Sequence, residues 1–400
     1  MGDHDHFADY DDVENGNFSG NMTNCTNDYC ISDQEYWDLI LQHITPQPYE
    51  WALIFMHFVV FVVGLVGNAL VCIVVYRVSA MRTVTNYFIV NLALADFLVI
   101  LFCQPTTVVW DTTETWMLGT VPCKLIVYFQ TVSVAVSVLT LTFISLDRWY
   151  AICFPLKFNS TTARAKTAII IIWIVALLCD IPELITLRTT QRHLNIETIV
   201  FTQCMPAWSD TTERHYQVIK SVVLYFLPLG VTSIAYLQIV RVLWRSGNIP
   251  GHVECRAPLN TISGCRRMTI ANTSTEGQLK SRRKAAKMLV AVVIMFAVCY
   301  FPVHLVAMLR YTIEIRKSDM TEFLATFSHW LCYANSAVNP VIYNFMSGKF
   351  RKEFRRTFSC FGGRSPRRNN LHMSSYASRY AVTNRTELMP LSMTSHLEVD

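Results

Sequence analysis

Basic residues are missing from the whole first part of the chain. Residues 1–50 hold eleven Asp or Glu and no Lys or Arg, and the first basic residue is Arg77. Charge is scarce elsewhere too: 16% of the residues are charged and 52% are apolar. A soluble protein of 400 residues exposes more charge than that, which excludes an arrangement of two or three water-soluble domains. Met1 to Asp12 lacks both a basic n-region and an apolar h-region, so no cleavable signal peptide is expected. His6 stands where a myristoylation motif needs Ser or Thr, and targeting falls to the first apolar run. No internal repeat is visible, which argues against a transporter of repeated halves. No His-rich metal spacing or nucleophile motif is visible either, which argues against a membrane enzyme.

What is present is a set of long apolar runs. A spanning helix needs about 20 mostly apolar residues. Trp51–Tyr76, Leu125–Leu146, Ser221–Val240, Met288–Leu309 and Phe323–Gly348 contain no formal charge. Thr83–Trp110 contains Asp96 alone, and Thr167–Leu187 is apolar until Asp180 and Glu183. The expectation is an all-α membrane protein of seven spans. Of the thirteen Cys, five (Cys72, Cys103, Cys179, Cys299 and Cys332) sit inside these runs, where a thiol is usually a small buried hydrophobe, and an odd total allows no simple pairing.

Seven is odd, so the two ends face opposite sides. Arg77 and Arg82 follow the first run, and Arg148, Lys157, Arg164 and Lys166 follow the third. Ten basic residues lie from Arg241 to Lys287, and ten more follow the last run. Positive residues stay on the cytoplasmic side, so the N-terminus is expected outside and the tail inside, in the plasma membrane. Sequons at Asn17, Asn21 and Asn24 agree, being candidate glycosylation sites on the outer segment. Residues 1–48 read as an acidic extracellular segment, disordered over 1–35, with a short amphipathic helix over Tyr36–Ile44. Residues 49–347 read as the bundle, with a polar basic loop at 245–280. Residues 348–360 carry Phe350, Phe354 and Phe358 at helical spacing among Lys and Arg, as in a short eighth helix lying on anionic lipid. Cys360 beyond them is a palmitoylation candidate, and 361–400 reads as a disordered cytoplasmic tail.

Each run carries its own polar or proline mark. They are Gly67-Asn68, Asn91 to Asp96, Asp147-Arg148-Trp149, Trp173, Pro228 with Tyr236, Phe296 to Pro302, and Asn339-Pro340 to Tyr343. In this order, over about residues 50–360, the set resembles the rhodopsin-like G-protein-coupled receptors. An ionisable group inside a bilayer is costly and needs a reason. The resemblance gives one: Asp96, Ser137, Asn335, Ser336 and Asn339 would surround an allosteric sodium ion, a hard cation suited to oxygen ligands. No other cofactor is expected. The resemblance also makes Arg148, held near Asp147 at rest, a switch that meets the G protein. Leu156 would dock into that partner, and Tyr236, Tyr300, Pro302, Tyr343 and Pro340 would belong to the moving parts. Proline removes a backbone hydrogen bond and provides a natural hinge. Cys123 and Cys204 would form a disulfide over the ligand entrance.

Within the family two ligand classes can be set aside, and a closer resemblance implies a third. Gln130 stands where amine receptors carry Asp, and Tyr333 stands where opsins carry the retinal Lys. Tyr49-Glu-Trp51, Met81 to Asn91, Asp111 to Trp116 and Asp147 to Cys153 resemble orexin receptors, as do Gln130, Tyr300, His329 and Tyr333. Glu183, Ala307 and Lys220 depart from that pattern, and the invertebrate allatotropin receptors fit the departures. The resemblance therefore implies an amidated neuropeptide ligand, calcium signalling through Gq, and arrestin and kinases as partners of tail residues Ser374, Ser375 and Ser378. No nucleic-acid partner is expected. Gln130, Thr131, Tyr216, His304, Arg310, His329, Tyr333, Asp111 and Glu183 are the candidate ligand contacts. Amides and imidazoles among them can pair with peptide groups without a formal counter-charge.

Overall fold

The computed structural model describes residues 31–154, 161–191, 198–245, 262–313 and 319–361. Asn17, Asn21, Asn24, Leu156, the Cys360 side chain and the tail serines lie outside the described residues. Contacts group Met1–Phe354 as one unit and Arg355–Asp400 as another.

The chain opens with α1, Asp33–Ile44, three residues longer at its start than the apolar pattern marks. The reason is a capping box: Ser32 accepts from the Glu35 amide while Glu35 accepts from the Ser32 amide and hydroxyl. Then come α2 (Pro48–Arg77), a second span made of α3 (Val84–Leu98) and α4 (Gln104–Thr113), and α5 (Thr120–Cys153). The fourth span breaks at Asp180 into α6 (Thr162–Cys179) and α7 (Ile181–Thr186), because Pro182 enters the first turn of a new helix. The fifth is α8 (Asp210–Ser221) running on through α9 (Leu227–Arg245). The sixth lies in α10 (Ile262–Ile313), the seventh is α11 (Asp319–Met346), and α12 (Gly348–Phe361) follows. The expected loop at 245–280 is corrected in part, because the backbone from Ile262 onward is helical and continuous with the sixth span.

Six of these stretches are long and apolar enough to cross a membrane by length and composition, among them Pro48–Arg77 and Arg283–Arg310. The seventh, α11, is more polar, but its polar groups point inward. Ser328, Asn335, Ser336 and Asn339 are each at most 3% exposed. Packing closes the ring: α2 touches α3 and α11, α10 touches α9 and α11, and α5 stands between α3, α6 and α9. Large apolar side chains face outward instead, including Phe55, Phe58, Ile170, Leu178 and Leu227. Helices apolar all round belong in lipid.

Two spans widen into a π segment, Val99–Cys103 in the second and Val222–Phe226 in the fifth. Each contains the residue four before a proline, Leu101 for Pro105 and Leu224 for Pro228. The proline ring crowds that carbonyl and supplies no N–H, and one wider turn is the local answer.

Polar residues register the helices. Asn91 takes a hydrogen bond from Trp173 and gives one to Thr140, both at 2.8 Å, joining the second, third and fourth spans. Asn68 donates to the Ser336 carbonyl at 3.0 Å. Over one end, strands β1 (Leu187–Thr190) and β2 (Gln203–Pro206) form an antiparallel hairpin with Thr189 opposite Cys204. Cys204 is disulfide-bonded to Cys123 of α5, with Cα atoms 5.7 Å apart. Tyr36 and Ile40 of α1 are fully buried against Phe201 of the loop before β2.

Candidate functional site

The end of the bundle capped by the hairpin gathers most of the candidate ligand contacts in two groups. The first joins the first, second and seventh spans. His329 Nδ1 lies 2.9 Å from Asp111 Oδ2. The Tyr333 and Thr107 hydroxyls share a hydrogen bond of 2.7 Å. The His57 ring stands 6.0 Å from the Tyr333 ring, and Gln104 donates to the His57 carbonyl at 2.8 Å. His57 and Gln104 were not among the expected contacts. Their only signal in the sequence is that each is polar inside an apolar run.

The second group joins the fourth, fifth and sixth spans. Lys220 Nζ is 2.7 Å from Glu183 Oε1, and the Tyr216 ring lies 5.5 Å from the same ammonium. His304 stacks on Tyr225 with centroids 4.5 Å apart, and its Nδ1 is 3.1 Å from the Ser221 hydroxyl. The third span contributes Gln130 and Thr131, both half-buried. Thr131 donates to the Tyr128 carbonyl, while Gln130 has no hydrogen-bond partner among the described residues. Arg310 is exposed and makes none of these contacts, although its charge reaches His329.

Deeper in the bundle, Asp96 is 1% exposed. Ser336 donates to its Oδ1 and Asn339 to its Oδ2, both at 2.8 Å, and Ser137 stands beside it. The side-chain oxygens of Asn335 and Asn339 are buried without a hydrogen bond. A carboxylate, two hydroxyls and two unpartnered amide oxygens are a donor set that fits a hard cation.

At the opposite end Arg148 is ion-paired with Asp147. The neighbouring Trp149 donates to Gln238 of the fifth span at 2.6 Å. The Tyr236 hydroxyl is buried near Ser145 and Arg148 without a hydrogen bond of ordinary geometry. Tyr343 stacks on Phe350, and Tyr300 packs on Phe296 with centroids 4.7 Å apart. Pro302 and Pro340 lie inside their helices.

Residues 67–343 match the family model described as 7 transmembrane receptor (rhodopsin family). The chain belongs to the rhodopsin family of seven-transmembrane receptors. This family consists of receptors, not enzymes. The chain is similar to a QRFP-like peptide receptor of Branchiostoma floridae, 31% identical over 306 residues, 76% of either protein. It is also similar to galanin receptor 2a of Danio rerio, 32% identical over 304 residues, 75% of this chain and 76% of that one. For a receptor of this family, the hairpin, its disulfide and the two polar groups occupy one end of the bundle. The Asp147–Arg148 pair occupies the other.

Proposed function

We propose that this chain is a plasma-membrane receptor for an amidated neuropeptide, coupled to heterotrimeric G proteins. The observation that carries the reading is the polar, largely pre-paired lining of the disulfide-capped end. There Asp111 is already held by His329 and Glu183 by Lys220, and the third-span position where amine receptors carry Asp holds Gln130. Amide, imidazole and hydroxyl groups distributed over several spans suit a ligand with many backbone groups. Two relatives whose names concern peptides, a QRFP-like peptide receptor and a galanin receptor, support the same class.

The finer reading is an allatotropin-like peptide signalling through Gq and calcium. It rests on the orexin-like stretches together with the departures at Glu183, Ala307 and Lys220. The orexin-receptor reading is the rival. The capped end faces outward in this proposal, because a disulfide belongs to an oxidising compartment and α1 packs on the same loop. The Asp96 set holds sodium in the resting state. Peptide favours the arrangement in which the inner end of the sixth helix moves away from Arg148 and admits the G protein, a population shift driven by differential affinity. The tail serines receive kinase phosphates that arrestin reads.

The test is intracellular calcium in cells expressing the chain, challenged separately with amidated allatotropin-like peptides and with orexins. A response to the first, lost in Gln130→Ala with surface expression intact, is the expected result. A response to orexins alone overturns the ligand assignment. Silence toward both, with the receptor on the surface, overturns the peptide and coupling assignments together.

A further inference from the structure

The ends of the fourth and fifth spans hold a charge imbalance. Lys220 Nζ contacts Glu183 at 2.7 Å and Asp180 at 3.5 Å. Asp180 is 1% exposed and Glu183 7%. Lys220 and Thr131 both stand beside Asp180, yet neither carboxylate oxygen receives a hydrogen bond of ordinary geometry. Lys124 on the same rim is committed elsewhere, donating to the Ile185 carbonyl at 3.0 Å. His304 feels the Lys220 charge, but its Nδ1 is engaged with Ser221. Among the described residues, two buried carboxylates therefore share one ammonium.

Removing charge from water without a full partner is expensive. The neighbourhood shows what kind of partner suits the site. The Tyr216 ring already offers a face to a cation, and Trp208 packs edge-on against it at 4.7 Å. The side chain of Lys220 keeps 17% of its exposure, so the cluster meets the mouth of the bundle and not a sealed interior. The N-terminal fifty residues add a long-range pull on positive ligands, since they carry eleven carboxylates and no Lys or Arg.

We propose that Asp180, Glu183 and Lys220 form a cation subsite in which a guanidinium or ammonium group of the ligand supplies the missing positive charge. Asp180, whose two buried oxygens receive no hydrogen bond of ordinary geometry and whose one cationic neighbour, Lys220, stands at 3.5 Å, takes the incoming group. Glu183 is shared between it and Lys220. A guanidinium is the better fit, because its planar fork matches a carboxylate and stacks on an aromatic ring. This rests on the peptide-receptor reading and adds to it the chemistry of one ligand side chain, an Arg or Lys bound between the fourth and fifth spans.

The experiment uses the full-length receptor in lipid nanodiscs, with thermal unfolding followed by tryptophan fluorescence. The probe is Nα-acetyl-L-argininamide at millimolar concentration, and Nα-acetyl-L-citrullinamide, with its α-amino group also blocked, is the uncharged control of the same shape. Argininamide is expected to raise the midpoint and citrullinamide is not. The shift is expected to vanish in Asp180→Asn combined with Glu183→Gln. It is expected to grow in Lys220→Met, which removes the competing ammonium. Equal shifts from both amides, or an argininamide shift that survives in the double variant, overturn the proposal. If the double variant does not fold, Lys220→Met decides alone: a larger shift supports the subsite and a lost one overturns it. In the calcium assay, replacing the ligand's basic residue with citrulline should cost about tenfold in potency, the equivalent of one imperfect ion pair. A chain silent to every amidated peptide would sink the peptide reading and leave the melting result standing.

Discussion

Single residues decide how closely the helices approach, and Gly67 shows it. A methyl group placed on Gly67 would lie 2.8 Å from Pro340 Cβ and 2.9 Å from its Cγ. Pro340 is held inside α11, so the first and seventh spans must part. Gly67→Ala should destabilise the receptor by roughly 1–3 kcal/mol, as for other overpacked cores, and an unchanged midpoint of thermal unfolding would show that the contact can yield. Asp96 makes the complementary point for charge. Its two oxygens accept from Ser336 and Asn339 while two amide oxygens nearby stay unpartnered. If sodium completes this set in the resting state, added sodium lowers agonist affinity, and Asp96→Asn removes that dependence. Agonist binding that ignores sodium in the parent receptor would refute the assignment. Asp96 stood out in the sequence as an ionisable residue in an apolar run, and the family resemblance named the other four donors. The Glu183–Lys220 pair did not stand out, because its members are 37 residues apart on different spans and nothing local joins them.

At the scale of elements, the apolar runs located every span, because lipid requires a continuous apolar stretch and an internally bonded backbone. Their ends were less legible. The fifth span begins at Asp210 and the third at Thr120, both ahead of the charge-free windows. Charged and polar residues are tolerated where a helix leaves the hydrocarbon. The π segments were not read at all, although Pro105 and Pro228 each mark one from four residues away. The start of α1 was written in the sequence as Ser32-Asp-Gln-Glu35, a capping box, but the apolar pattern that located the helix begins only at Tyr36. That box makes α1 pH-sensitive. The Ser32 hydroxyl and amide hold the Glu35 carboxyl below its ordinary value of 4.5. A carboxylate depressed by folding adds stability above its unfolded value, and the contribution is lost as pH falls through the folded one. Amide exchange of α1 should therefore quicken below that range in the parent receptor, and Glu35→Gln should exchange with little pH dependence beyond the intrinsic chemistry. Exchange in the two proteins that stays parallel down to acid pH would count against the box.

At the scale of the whole molecule, one end of the bundle is stapled, and the staple is the Cys123–Cys204 bond. It closes a separation of 81 residues. In water, a loop of that size would gain about 4–5 kcal/mol from lost chain entropy. Here the segment between the two cysteines includes the fourth span, which the bilayer restrains even when the bundle loosens, so the entropic gain should be smaller. The larger effect is positional. Cys204 pairs Thr189 with β2 in register, and the next residue before it, Gln203, takes the indole hydrogen bond of Trp110 at 3.1 Å. Phe201, two residues earlier again, receives α1. Cutting the bond frees the hairpin, the second-span end and the N-terminal helix together. Cys204→Ser should therefore lower agonist potency by at least about tenfold, or about 1.4 kcal/mol, while receptor that reaches the membrane loses less thermal stability than the soluble-loop figure. Melting of the variant and of reductant-treated parent receptor would test the energy, and calcium dose–response curves would test the position. A large loss of melting temperature with potency intact would mean that the bond stabilises the bundle and does not position its capped end.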